Sequence, residues 1–306
     1  MSDPDRRGCV LPTAMGSPSV TASASVVIPA HNEATVIERC LGTIRSGVGA
    51  AEVEIVVVCN GCTDDTAAVA ARVPGVTVAE LPESSKVAAL NEGDRIARHY
   101  PRVYLDADVV LQPESLRLLV AALRGGAVAA APVPVVDSRG CNLGSRMYFR
   151  VWARLGYARR HVLGSGVYAL SESGRGRFGA FPDVIADDGF VYAQFSSEER
   201  VNPSGATFVI RAPRSIAATL RRRVRIHEGN QQLRVLGVPR QAVPGPSWLG
   251  ILAREPWLLP SVLIYLYVNL HAARIAAGRA ATGETGSWNR DDSTRTAVRD
   301  DQNAAP

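Results

Sequence analysis

The chain is 306 residues long, 46% apolar and 21% charged, a composition that excludes disordered, collagen-like and coiled-coil classes and leaves ample material for a buried core. Its net charge of +5 is uneven: residues 1–200 carry 20 basic and 22 acidic side chains, residues 201–306 carry 14 and 7, so the last third has an anionic partner or surface to face. Five scattered cysteines exclude a disulfide scaffold and point to a reducing compartment.

Residues 1–24 are Pro-, Ser-, Thr- and Gly-rich with no leader-like apolar run, and read as a disordered, cytoplasmic N-terminus. SVVIP at 25–29 has the apolar run of a strand buried on both faces, ended by its proline. After His31-Asn32-Glu33, the spacing of Val36, Ile37, Cys40, Leu41 and Ile44 predicts a helix. EIVVVC at 54–59 is a second strand, and Thr63-Asp64-Asp65 caps a helix through Ala71. Residues 76–79 form a third strand, Ser84 or Ser85 caps a helix to His99, and residues 103–105 form a fourth strand.

This alternation predicts an α/β, Rossmann-like doubly wound, mostly parallel sheet, in which ligands bind beyond the carboxyl ends of the strands. The strand-end polar residues His31, Asn32, Glu33, Asn60, Asp106 and Asp108 then converge on one crevice. Beyond them the pattern loosens into a helix at 114–123, an apolar stretch at 128–136, an Arg/aromatic segment at 146–160 and a strand at 164–170. Residues 183–195 follow, with the acidic pair Asp187-Asp188 before a helix.

Residues 211–254 contain nine arginines against one acid, Glu228, and are followed by the apolar run WLLPSVLIYLYVNLHAA at 257–273. Seventeen residues interrupted by Pro260, Asn269 and His271 are short for a span, which needs about 20. Either interfacial docking on an anionic leaflet or a buried core helix accounts for the run. From residue 283 the polar tail reads as disordered.

Asp106-Ala107-Asp108, directly after a buried strand, offers two hard oxygen donors of the kind that hold Mg²⁺ or Mn²⁺ against a phosphate, although such a triplet alone is often a solvated turn. Asp188 could instead simply cap a helix, and the arginines at 221–225 could line a solvated face. Cys59 and Cys62 lack a second pair and cannot complete a zinc site. The basic stretch lacks interleaved aromatics, so nucleic acid is not an expected partner.

VVIPAHNE at 26–33, VVVCNGCTDDT at 56–66, KVAALNEG at 86–93 and YLDADV at 104–109 closely resemble, in order and spacing, the family 2 inverting glycosyltransferases of the GT-A type. GSGVYAL at 164–170, RFGAFPDVIADDGFV at 177–191 and RRVRIHEGNQQL at 222–233 resemble the acceptor-side segments of that family. The resemblance implies a GT-A domain at 25–235, with a nucleotide-sugar half at 25–110 and an acceptor half at 111–235. A membrane-facing or packing helical segment at 236–282 and a tail at 283–306 complete the expected organisation.

The resemblance also implies roles for individual residues. Pro29, His31 and Glu33 would frame the nucleotide pocket, with Glu33 facing the nucleoside. Asn60 would stand where an aspartate usually reads the base, and an amide can still donate and accept there. Lys86 would sit near the nucleotide, with Ser85 replacing the glycine that usually precedes it. Asp106 and Asp108 would be the metal pair, Asp108 the more direct ligand. Asp188 would be the general base, with Asp187 replacing the usual glutamate beside it. Arg222 and Arg225 would meet the diphosphate, Ile226 standing in for a tryptophan.

These roles make the chain a metal-dependent enzyme that moves a sugar from a nucleotide sugar to a hydroxyl acceptor, glycan, lipid or small molecule, with peripheral membrane contact at the cytoplasmic face. A non-catalytic nucleotide-sugar binder is the alternative suggested by the departures at Asn60, Ser85, Asp187 and Ile226. A nucleotidyltransferase is disfavoured because residues 29–33 hold neither the glycine nor the basic cluster of its phosphate loop.

Overall fold

The computed structural model describes residues 24–49, 52–155, 166–239 and 247–282. The expected disordered tails, and the parts of the segments at 146–160 and 164–170 that fall within 156–165, lie outside the described residues.

The first half alternates as its apolar runs predict: β1 (Ser25–Ala30), α1 (Ile37–Arg45), β2 (Glu54–Asn60), α2 (Thr66–Ala71), β3 (Val76–Leu81), α3 (Lys86–Ile96) and β4 (Arg102–Leu105). β5 (Val110–Leu111), α4 (Pro113–Arg124), β6 (Ala129–Ala130), β7 (Val133–Asp137), α5 (Leu143–Trp152), β8 (Val167–Leu170) and α6 (Glu172–Arg175) follow. The chain then runs through α7 (Asp187–Ala193), β9 (Arg200–Val201), β10 (Thr207–Arg211), α8 (Ile216–Val235), α9 (Trp248–Arg254), a 3₁₀ turn (Pro256–Leu258) and α10 (Leu259–Thr282).

Seven strands form one sheet in the order β3-β2-β1-β4-β8-β6-β9. β3, β2, β1 and β4 are parallel, whereas β8 runs antiparallel to both β4 and β6. A second sheet, β5-β10-β7, joins Val110–Leu111 to Thr207–Arg211, so the expected division at 110/111 falls inside a strand. One core cluster extends from Ala24 to Val268, and both halves contribute to it.

β1 does not end at its proline. It continues through Pro29, paired with Val58 of β2, to Ala30. Pairing with β4 has already stopped at Val27, so the missing N–H is not needed on that side. Ser85 caps α3 by accepting from the Ala88 N–H at 3.1 Å, a local reason for serine at this position. The strand predicted at 76–79 extends to Leu81, and the helix after it stops at Ile96, short of His99.

α3 lies directly on the sheet. A Cβ on Gly93 would overlap Cγ1 of Val27, so only glycine permits this approach. Gly93→Ala is expected to cost about 1–3 kcal/mol through overpacking, read as a fall in Tm, with far-UV circular dichroism unchanged. An unchanged Tm would mean that the helix can lift off β1 freely.

The apolar run at 257–273 belongs to a longer helix than its composition suggested. Pro260 sits in the first turn of α10, where its missing N–H has no intrahelical partner to lose, and the helix continues to Thr282. Neither reading of the run is complete by itself: Val262, Val268, Ala272 and Ala276 are buried against α5 and α8, while Leu259, Leu263, Tyr267 and Leu270 are exposed.

Candidate active site

The carboxyl ends of β1, β2 and β4 meet as the parallel topology requires. Asn32, at a left-handed φ of 52°, locks two of these ends together by accepting from the Thr63 N–H at 2.8 Å. His31 Nδ1 donates to the Asn60 carbonyl at 2.5 Å and lies 3.3 Å from Ser84 Oγ, bracing the rim of the crevice.

Two residues expected to face the nucleotide are inside the wall. Asn60 is 1% exposed and its amide nitrogen donates to the Ala30 carbonyl at 2.8 Å. The strand runs one residue further than predicted, so this side chain ties β2 to β1 through its nitrogen. Glu33 is 4% exposed, its N–H donates to Thr66 Oγ1 at 2.7 Å, and its charge bears on the buried Cys40. Pro29 is likewise buried within β1. Cys59 is a core residue, while the Cys62 thiol contacts the Asn32 N–H and the Ala30 carbonyl, packing the turn.

Lys86 is the centre of the site. Its Nζ lies 2.8 Å from Asp106 Oδ1 and 3.0 Å from Asp187 Oδ1. The lysine therefore bridges the strand-end carboxylate to the first turn of α7. Burial opposes its charge, but Asp106, Asp187 and Asp188 more than offset this and hold it protonated above the usual lysine range. Asp187 is 3% exposed, and burial pushes its carboxyl up to about 6 despite the pull of Lys86.

The neighbouring Asp188 is half-buried and its Oδ1 accepts from the Gly189 N–H at 2.7 Å. The two acids occupy the first turn of α7, and Ala186 is the capping residue, so neither acts as the cap. One is paired with the lysine, and the other is held beside it by the Gly189 N–H.

A raised Asp187 value has a consequence for stability. The folded chain holds a proton that the unfolded chain releases from about pH 4 upward, so the contribution of this group falls as pH rises from about 4 to about 6. Lys86→Met removes the cation that restrains the shift. It is expected to extend the sloping window above pH 6 and to cost about 3 kcal/mol by leaving the buried Asp187 carboxylate unpaired. Thermal melts between pH 4 and 8 measure both, and a curve superposable on the parent would remove the bridging role.

α3 also holds the segment leading to α7. Asn91 clamps the backbone of Phe181, accepting from its N–H at 2.8 Å and donating to its carbonyl at 3.2 Å. Asp94 accepts from Arg102 at 2.6 Å, Tyr104 at 2.7 Å and Arg175 at 2.6 Å. Sequence reasoning missed both residues, although Asn91 lies within KVAALNEG; a polar face on a helix packed against a sheet was the available signal.

Sequence reasoning also missed a basic pair near Asp108. Arg39 on α1 feels burial and then the like charge of Arg211, which lower its pKa, opposed in part by Cys40 and Asp108. Arg211 reaches this neighbourhood because β10 pairs with β5, which begins two residues after Asp108.

The run at 221–225 is divided by the helix. Gly229 and Leu233 of α8 face Ala186 and Gly189 in and before α7, and Arg222 and Arg225 fall on that same side by helical spacing. Arg223, and more weakly Arg222, also act on the Tyr148 phenol of α5.

Asp106 and Asp108 supply only carboxylate oxygens, a donor set that fits Mg²⁺ or Mn²⁺ and does not fit zinc. Among the described residues no group of three or more His, Cys, Asp or Glu side chains could hold a metal. A cation here would be completed by water and by phosphate oxygens of a ligand, the usual habit of Mg²⁺.

A parallel sheet broken by an antiparallel strand, with an Asp-x-Asp end facing a second acidic pair, is the GT-A architecture of enzymes that act on nucleotide sugars. Residues 25–184 match the family described as Glycosyl transferase family 2, so this chain belongs to that glycosyltransferase family.

Among solved structures the chain is similar to the mannosyltransferase PcManGT from Pyrobaculum calidifontis in complex with GDP-Man and Mn²⁺. The identity is 23% and the TM-score 0.57, covering 88% of this chain and 83% of that one. It is also similar to glucosyl-3-phosphoglycerate synthase from Mycobacterium tuberculosis with Mn²⁺, UDP and glucosyl-3-phosphoglycerate, at 19% identity and a TM-score of 0.48, covering 76% and 88%. No curated protein matches the chain by sequence.

Proposed function

We propose that this glycosyltransferase is metal-dependent and inverting, and that it transfers a sugar from a nucleotide diphosphate sugar to a hydroxyl of a glycan or lipid at the cytoplasmic face of a membrane. The observation that carries the reading is the Lys86 bridge. One ammonium touches both the strand-end carboxylate Asp106 and Asp187 of the acidic pair of α7, which supports a single site built from the two. The mannosyltransferase of similar fold holds GDP-Man and Mn²⁺, which supports a donor of that class here.

Each residue then has a task. Asp188 accepts the proton of the acceptor hydroxyl as its oxygen attacks the anomeric carbon, and the bond to the diphosphate breaks on the opposite face, which inverts the centre. Lys86 keeps Asp187 and Asp106 in place. Asp108, with Asp106 beside it, would hold Mn²⁺ or Mg²⁺, which supplies neutralisation of the diphosphate charge when bound. Arg222 and Arg225, on the α7-facing side of α8 by helical spacing, would meet the diphosphate, where a fork that stays charged binds phosphate oxygens in pairs. His31 shapes the rim against which the nucleotide packs.

Thermal shift with a panel of nucleotide sugars and Mn²⁺ identifies the donor, and NMR of the product then gives the configuration at the anomeric carbon. A retained configuration would overturn the single-displacement mechanism. Tight binding with no transfer to any acceptor would make the chain a nucleotide-sugar binder.

A further inference from the structure

Leu259, Leu263, Tyr267 and Leu270 of α10 are 50%, 58%, 57% and 60% exposed, and at helical spacing they form one strip. Trp257 in the preceding turn and Leu249 on α9, 70% and 60% exposed, add to it at the N-terminal end. The charges around the strip are of one sign. Residues 247–282 contain a single acid, Glu255, held by Arg154 at 2.9 Å, whereas the exposed Arg254 and Arg274 bracket the strip. Apolar side chains between arginines, with no exposed acid among them, complement an anionic lipid surface.

The opposite side of α10 fixes its orientation. Val262, Val268, Ala272 and Ala276 are buried, Tyr265 stacks on Tyr148 of α5, and Arg279 pairs with Glu228 of α8 at 2.9 Å. Residues 256–282 are long and apolar enough to cross a bilayer. Crossing would carry the adjoining α8 into hydrocarbon, with Arg221, Arg222, Arg223 and Arg225 on it, and the cost of those charges forbids this.

We propose that α10 lies in the plane of an anionic membrane, Leu259, Leu263, Tyr267 and Leu270 entering the acyl boundary and Arg254 and Arg274 resting on the head groups. α8 packs against α10 on one side and α7 on another, so Asp188 stands two helix layers, each about 8–10 Å, from the lipid. That spacing lets the site take an acceptor hydroxyl held at the membrane surface, the one element that rests on the glycosyltransferase reading.

The test is cosedimentation of the full chain with vesicles of phosphatidylcholine alone or mixed with phosphatidylglycerol, alongside circular dichroism and Mn²⁺-dependent nucleotide binding. Binding to the anionic vesicles, weakened by salt, is expected. The double variant Leu263→Glu, Leu270→Glu is expected to lower partitioning by about tenfold or more, with circular dichroism unchanged. Arg254→Glu with Arg274→Glu is expected to abolish the preference for phosphatidylglycerol.

No binding by a folded chain, binding unaffected by the leucine substitutions, or a stable dimer that hides the strip would overturn the proposal. Quenching of tryptophan by lipids brominated at the bilayer centre would overturn the in-plane orientation. Vesicle binding without nucleotide binding would overturn the enzymatic reading and leave the membrane contact standing.

Discussion

Asp188→Asn is expected to lower sugar transfer by about 10²–10⁴-fold while leaving donor affinity unchanged. The substitution keeps the oxygen that accepts from the Gly189 N–H, so the first turn of α7 retains its hydrogen bond. What it removes is the capacity to take up a proton. Nucleotide release in the presence of acceptor measures the loss, and calorimetric titration with nucleotide diphosphate measures the affinity. Near-normal transfer would mean that another group deprotonates the acceptor.

Asp187→Asn provides the contrast. That residue is 3% exposed and paired with Lys86, so its substitution is expected to lower stability together with activity. Adjacent acids thus separate by which property moves.

Asp108→Ala is expected to abolish the effect of Mn²⁺ on nucleotide binding and to lower turnover by about 10³-fold, as loss of several kcal/mol of charge stabilisation requires. The readout that does not depend on turnover is thermal shift by nucleotide diphosphate with and without Mn²⁺. The parent should show a larger shift with the ion, and the variant should show the same shift in both conditions. Asp106→Ala is expected to behave differently, because its carboxylate also holds Lys86 at 2.8 Å, so it should perturb melting even without metal. A metal-dependent shift that survives in Asp108→Ala would move the cation site elsewhere.

Much of the frame was legible in the order of residues. The apolar runs of β1, β2 and β4, the helical spacing in α1 and the capping serine of α3 are local signals, and each produced its element within a few residues. The two aspartates at 106 and 108 were found for the same reason: a parallel sheet delivers strand ends to one crevice. The errors at Pro29 and Asn60 came from strand ends, where pairing with a neighbour distant in sequence decides whether a side chain is buried or open.

The sequence by itself determined the alternating sheet, the family and the set of acids and arginines from which a transferase site is built. Only the tertiary structure decided how those charges are divided. Lys86, 20 residues before Asp106 and 101 before Asp187, bridges both, which separates a buried, paired Asp187 from a half-buried Asp188. Packing against α5 and α8 likewise turned an apolar run that composition left ambiguous into a helix with one face in the core and one outside. The physical reason is the same in both cases. Periodicity is a property of neighbouring residues, whereas burial and ion pairing depend on which remote elements arrive on each side.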